Sequence, residues 1–203
     1  WAYDGSNATV SIYDTSSNIT GTSIVNTSTN VSPVNFTIEI GELDTSFNVS
    51  DIDVSNGTLD NFQDASGDDV DHSYYTVDVY PSSEGSVFIR VLGGSFEDAV
   101  GNLNNPSNEF KWTYDITPPT IEITATDLSN NDISSNETSN DAYLNLTFTA
   151  SKEIEGFMFQ NVDVSNGFLS STIGDGDFDN SGNITFTAQL YPSGTNTITV
   201  QVL

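Results

Sequence analysis

The sequence predicts an all-β chain built from two tandem copies of one β-sandwich. Three observations carry that expectation. Apolar residues recur at every second position in short stretches, turn-forming residues separate those stretches, and whole phrases return 110 or 111 residues later. Composition agrees: Ser and Thr supply 51 of 203 residues, Asn 22 and Gly 15, with abundant Val, Ile, Phe and Tyr. No segment sustains a helical period.

In the first copy the alternation places strand A near residues 8–13 and strand B at 34–40, VNFTIEI. Strand C falls near 47–54 and strand D at 58–62. Strand E is expected at 74–80, strand F at 86–92 and strand G at 108–114. In VNFTIEI (34–40), YTVDVY (75–80) and SVFIRV (86–91) apolar residues fall at every second position, as a half-buried antiparallel strand requires. SNG at 55–57 and YPSSEG at 80–85 supply turns between them. Seven short strands in about 110 residues match the pattern of an immunoglobulin-like sandwich. Phe110, Trp112 and Tyr114 share one face of strand G, so Trp112 is expected in the core.

DIDVSNGTL (51–59) returns as NVDVSNGFL (161–169), and NFTIEI (35–40) aligns with NLTFTA (145–150). VYP (79–81) returns as LYP (190–192), VFIRVL (87–92) as ITVQVL (198–203), and the opening WAYD as WTYD (112–115). The register divides the chain into a four-residue tail of a preceding repeat (1–4), a first domain (5–114), a linker (115–119) and a second domain (120–203). The second copy stops where the counterpart of 93–115 would begin, so its last strand is missing. Two explanations stand: a window cut from a longer array, with Trp1 the counterpart of Trp112, or a two-domain chain whose open edge a neighbour must fill.

Charge narrows the function. Twenty-nine acidic residues face three basic ones, Arg90, Lys111 and Lys152, for a formal −26. Such a chain is repelled by DNA, RNA and anionic membranes. No apolar run approaches the ~20 residues of a membrane helix, so membrane insertion is not expected. The absence of cysteine excludes disulfides and thiolate metal sites.

The order SDIDVSNGTLDNF, YTVDVYPSSEGSVFIRV, GSFEDAVGN and YDITPPT resembles the bacterial Ig-like repeats of very large surface adhesins. The resemblance spans both copies. It implies tandem Ig-like domains in an extracellular stalk or fibre, with partners among neighbouring repeats of the same or identical chains, and often calcium at the joints. Copy two departs from the pattern in lacking a segment like GSFEDAVGN.

The residues point to calcium as well. In a seven-strand sandwich the BC, DE and FG loops share the pole where strand A begins. There BC carries Glu42 and Asp44, and DE carries Asp64, Asp68, Asp69 and Asp71. FG carries Glu97 and Asp98 with Asn102 nearby, and Asp4 precedes strand A. Like charges so crowded repel, perturb one another's titration or recruit a hard cation with oxygen ligands. In copy two Asp175, Asp177 and Asp179 alternate like the start of a calcium loop, but the usual Glu would fall at Phe186. A solvated acidic turn is the plainer reading of any one loop.

The linker Asp115-Ile-Thr-Pro118-Pro119 is short and semi-rigid, and a cation between Asp115, Glu153, Glu155 and the 175–179 aspartates would stiffen the joint. Ten N-x-S/T sequons occur, at Asn7, Asn18, Asn26, Asn30, Asn35, Asn48, Asn56, Asn136, Asn145 and Asn183. Catalysis finds little support, because the sole histidine, His72, lies in an acidic turn and no complete catalytic set is visible. A structural stalk or filament module is therefore expected. The alternatives are a module recognising cell-surface glycan or protein, and an accessory domain of a secreted hydrolase.

Overall fold

The computed structural model describes residues 4–15, 27–42, 46–69, 72–170, 177–178 and 184–203. The chain divides into two units, Trp1–Ile116 and Thr117–Leu203.

Unit one is a sandwich of two four-stranded sheets. Its strands are β1 (Val10–Asp14), β2 (Ser28–Thr29), β3 (Val34–Ile40), β4 (Ile52–Ser55), β5 (Gly57–Asp64), β6 (Ser73–Pro81), β7 (Gly85–Val91) and β8 (Phe110–Tyr114). One sheet has the order β1-β3-β6-β5 and the other β2-β8-β7-β4. Every pairing is antiparallel except β2 with β8. The predicted alternation is met residue by residue: Val34, Phe36, Ile38 and Ile40 are buried while the residues between them are half-buried. Each such side chain contributes about 1.5–3 kcal/mol when removed from water.

The core joins the two inner faces. Trp112 and Phe110 of β8 lie over Phe36 of β3, with ring centroids 5.7 and 5.1 Å apart. Asn108 closes the sandwich ahead of β8: its Oδ1 accepts the Ile12 N–H at 2.8 Å and its Nδ2 donates to the Ile12 carbonyl at 3.0 Å. On the outer face of the second sheet, Arg90 donates to Asp53 at 2.8 Å and to Glu109 at 3.0 Å, tying β4 to the approach of β8.

Two details differ from the sequence reading. Strand C begins at Ile52, because residues Val49–Asp51 form a 3-10 turn. Asn48 caps that turn, its Oδ1 accepting the Ser50 N–H at 3.1 Å, and a capped turn competes locally with extended backbone. β2, too short to show an alternation, was not foreseen. Trp1 lies outside the described residues.

Unit two repeats this plan with fewer strands among the described residues: β9 (Ile121–Thr126), β10 (Leu144–Ala150), β11 (Val162–Ser165), β12 (Gly167–Leu169), β13 (Asp177–Phe178), β14 (Ile184–Pro192) and β15 (Thr199–Val202). Its larger sheet runs β9-β10-β14-β12, with β13 also on β14. Among the described residues its second sheet holds β11 and β15. The register is that of unit one: Val162 faces Val202 as Ile52 faces Val91. A separate core forms around Leu146, Phe148, Val162, Phe186, Ala188 and Leu190. None of the described residues forms a helix long and apolar enough to cross a membrane.

Candidate metal centre

Three of the acidic residues expected at one pole of unit one do converge. One carboxylate oxygen from each of Asp4, Glu42 and Asp98 lies within 4.8 Å of the others. Asp4 precedes β1, Glu42 follows β3, and Asp98 sits in the long segment between β7 and β8. The ladder itself brings the first two together, since the Gly41 N–H donates to the Thr9 carbonyl at 3.0 Å just past the β1–β3 pairing.

Asp98 is held by a small hairpin. Glu97 bridges Leu103, and the Asp98 N–H donates to the Asn102 carbonyl at 2.9 Å. The Asp98 Oδ1 accepts the N–H groups of Val100 and Asn102 at 2.9 and 2.8 Å, while Oδ2 accepts from Asn102 Nδ2 at 2.8 Å. Burial pushes the Asp98 carboxyl up, but those donors outweigh it and hold its pKa below the usual carboxylate value.

The hairpin is anchored from beneath. Phe96 is buried against Phe47, ring centroids 5.2 Å apart. Buried Asn104 accepts from the N–H groups of Ser95 and Phe96 at 2.8 and 3.1 Å, and its Nδ2 donates to the carbonyls of Leu92 and Asn105. Ser46 Oγ donates to the Glu97 carbonyl at 2.8 Å and so ties the BC loop to this segment. Asn104, Phe96 and Ser46 were not singled out from the sequence; only the apolar Phe96 inside an acidic, Gly-rich stretch signals an anchor.

Calcium places its oxygen ligands at 2.3–2.6 Å, so no two oxygens on one ion lie more than about 5.2 Å apart. The triad falls inside that limit and supplies three carboxylates. Among the described residues Oδ2 of Asp98 accepts from Asn102 Nδ2 alone and keeps a second lone-pair direction for an ion. Among the described residues the three carboxylates are a partial set, and calcium's remaining positions would fall to water or backbone oxygen. The donor chemistry fits a hard cation.

The other expected ligands lie elsewhere. Asp64 is in β5 opposite Tyr75, where the Ser66 hydroxyl and N–H lower its pKa. Asp68 is exposed, and Asp69 accepts the His72 N–H at 2.9 Å. His72 lies 4.0 Å from Glu39 and 3.8 Å from Asp69. The sheet order β1-β3-β6-β5 explains the separation: the β5–β6 loop opens at the far edge, with strand spacings of about 4.8 Å between it and β1. Glu97 and Asn102 flank Asp98, Glu97 exposed and Asn102 engaged with the Asp98 carboxylate. Asp115 follows β8 in unit one, its N–H donating to the Thr29 carbonyl at 3.0 Å, whereas Glu153 and Glu155 are exposed in unit two. Asp177 belongs to strand β13, paired with Thr185, rather than to a loop. Asp44, Asp71, Asp175 and Asp179 lie outside the described residues.

Of the sequons, Asn7, Asn30, Asn48 and Asn136 are exposed, while Asn35, Asn56 and Asn145 are half-buried. Asn35 Nδ2 donates to Asp78, Asn48 caps the 3-10 turn, and Asn56 Nδ2 donates to the Ser83 carbonyl at 2.8 Å. Asn18, Asn26 and Asn183 lie outside the described residues.

Residues 7–114, more than half of the chain, match the model of the bacterial Ig-like domain. The chain belongs to the bacterial Ig-like domain family. The matched span starts just before β1 and ends with β8, so it covers the strands of the unit-one sandwich. No curated protein and no solved structure matches the chain.

Proposed function

We propose that this bacterial Ig-like chain is a structural repeat module of an extracellular adhesin, stalk or surface filament, stiffened by calcium at the Asp4–Glu42–Asp98 pole. The observation that carries the spacer reading is the duplicated register: β4–β7 and β11–β15 pair identically, while the loops between strands differ. A spacer needs its sandwich kept and makes no demand on its loops. Its partners are then neighbouring repeats. Calcium bound between the lead-in to β1, the end of β3 and the segment between β7 and β8 would resist the peeling of β1 under load and add stability by mass action.

Force spectroscopy tests both parts. Stretching the chain in calcium and in chelator at equal ionic strength should give two unfolding events, with calcium raising the force of the unit-one event. Magnesium, smaller and held to octahedral geometry, should raise it less. Equal forces under all three conditions would remove calcium from the reading, and unfolding at negligible force would remove the load-bearing role.

A second reading has its own observation. In unit two Phe168 is 55% exposed and stacks on Tyr191 at 5.4 Å, with Tyr143 5.2 Å from Tyr191. An accessible aromatic cluster of this kind suits recognition of a glycan or a protein. Binding on a glycan array that Phe168→Ala abolishes would favour it.

A further inference from the structure

The larger sheets of the two units share a register but not the chemistry of their outer faces. Phe168 faces Tyr191 in unit two as Thr58 faces Tyr80 in unit one, and Asn145 faces Gln189 as Asn35 faces Asp78. Unit one carries three carboxylates across this face, Glu39, Asp60 and Asp78. Glu39 accepts from the hydroxyls of Tyr13 and Tyr74 at 2.9 and 3.3 Å, and Asp78 accepts from the side-chain amides of Asn35 and Asn61. Unit two has Thr149, Ser170 and Gln189 at those three positions, and Tyr143 and Phe168 where unit one has Pro33 and Thr58. Neutral hydrogen-bonding groups thus stand in place of carboxylates, beside two additional aromatic rings.

Those rings form a continuous run. Phe168, 55% exposed, lies parallel to Tyr191 within 11°, and Tyr143 adjoins Tyr191 just ahead of β10. The Tyr191 hydroxyl donates to Gln189 Oε1 at 2.8 Å. Gln189 Nε2 and the Asn145 side-chain amide are left without a hydrogen bond among the described residues. The next row of the ladder holds Thr187, Thr147 and Thr124. None of these paired positions is charged, on a chain with 29 acidic residues.

We propose that this face of unit two binds an uncharged saccharide chain, its sugar rings against Phe168, Tyr191 and Tyr143 and its hydroxyls on Gln189 and Asn145. The proposal rests on the recognition reading above and narrows its ligand to one class. A pyranose presents C–H groups on its faces and hydroxyls around its rim. The first suit the electron-rich face of an aromatic ring, and the second suit amides that both donate and accept. Charge sets the class: a formal −26 repels acidic saccharides, and a cationic partner meets no carboxylate on these rows. Extent agrees, since a run crossing from β12 to β10 spans about 10 Å at ordinary strand spacing. That takes a short run of sugar rings and falls well short of the roughly 20–30 residues a side of a stable protein interface.

The test uses the full 203-residue chain, unglycosylated and isotope-labelled, and neutral hexasaccharides of glucose, mannose, galactose, xylose and N-acetylglucosamine, with hexagalacturonate as the acidic control. At least one neutral probe should shift amide signals of residues 143–147, 167–170 and 187–192, while their counterparts in unit one stay still and hexagalacturonate shifts none. Phe168→Thr and Gln189→Asp each install the residue that unit one carries, and each should weaken that binding about tenfold with the melting of unit two unchanged. Cell-surface binding supplies the second arm. Loss of binding both on Phe168→Thr and on periodate treatment of the cells, which cleaves sugar diols, supports the proposal. Binding that Phe168→Thr abolishes but that survives periodate and falls to protease overturns the saccharide and leaves recognition of a protein. No shift with any neutral probe, together with cell binding that is absent or indifferent to Phe168→Thr, overturns both. Shifts equally strong with hexagalacturonate overturn the uncharged class.

Discussion

Asn56 and Asn166 adopt φ of 53° and 57°, and each reaches across its turn, to the carbonyls of Ser83 and Thr197 respectively. Asparagine tolerates that left-handed conformation because its side chain bonds locally. The glycine after it is there for space: a Cβ on Gly57 would lie 3.1 Å from Val79 Cγ1, and one on Gly167 would lie 2.8 Å from the Tyr191 carbonyl oxygen. Thus the repeated DVSNG phrase records a crossing between sheets that leaves no room for a side chain. Gly167→Ala should cost unit two about 1–3 kcal/mol in urea unfolding, and Gly57→Ala less in unit one, since it meets a side-chain methyl first. A second residue-scale device went unread. The Asp98–Asn102 hairpin recurs at Asp127–Asn131, where Asp127 Oδ1 accepts from Ser129 and Asn131 at 2.8 Å each and Oδ2 accepts from Asn131 Nδ2 at 2.8 Å. It follows β9 rather than β15, so the 110-residue register conceals it. The Asn131 side chain, then its N–H, lower the Asp127 pKa. A carboxylate with a depressed folded pKa stabilises the fold fully above its unfolded value of about 3.9 and loses that contribution as pH falls through the folded value. Asp127→Asn should therefore lower the melting temperature of unit two at pH 7 and flatten its decline below about pH 4, as read by melts between pH 2 and 7 in chelator.

At the level of the element, legibility follows strand length and environment. β3, β6 and β7 span seven to nine residues with one face in the core, so their alternation was plain in the sequence. β2 has two residues and β4 starts behind a capped turn, and neither leaves a periodic trace. β8 was legible because its three aromatics alternate, but its energetic weight was not. Trp112 and Phe110 are each at most 1% exposed and cover Phe36 from the opposite sheet. Trp112 Nε1 is buried without a hydrogen-bond partner among the described residues. Trp112→Ala should cost unit one roughly 3–5 kcal/mol, the usual range for emptying a buried aromatic site. Trp112→Phe should cost well under that, because it keeps the ring and removes a donor whose burial is itself unfavourable. Denaturant titrations that returned equal costs would mean that Nε1 is satisfied in solution. Asn108 adds the other half of the element's role, since β1 is fastened to the approach of β8 through its amide rather than through a ladder.

For the whole molecule, the candidate site shows how far sequence reasoning reaches. Strand order alone placed Asp4, Glu42 and Asp98 at one pole, and they converge there. It did not separate the aspartates of the β5–β6 loop, because sharing an end of a sandwich is not sharing an edge of a sheet. Charge therefore acts on this molecule in two distinguishable ways. One is diffuse: 29 acidic residues against three basic ones repel across both units, and mobile ions screen that repulsion. The other is local: among the described residues, three carboxylates of unit one converge. Two separate cores imply two thermal transitions, with unit two lower because Ile198, Val200 and Val202 are only half-buried. Raising sodium chloride from about 0.01 to 1 M shortens the screening length from about 30 to 3 Å and should raise both transitions. Calcium added at constant high ionic strength, where the diffuse term is already spent, should raise the unit-one transition alone. Glu42→Gln should diminish that calcium response while leaving the sodium chloride response intact, as followed by calorimetry. If calcium instead moved both transitions together, and Glu42→Gln changed nothing, the ion would be acting as a diffuse counterion and the pole would not be its site.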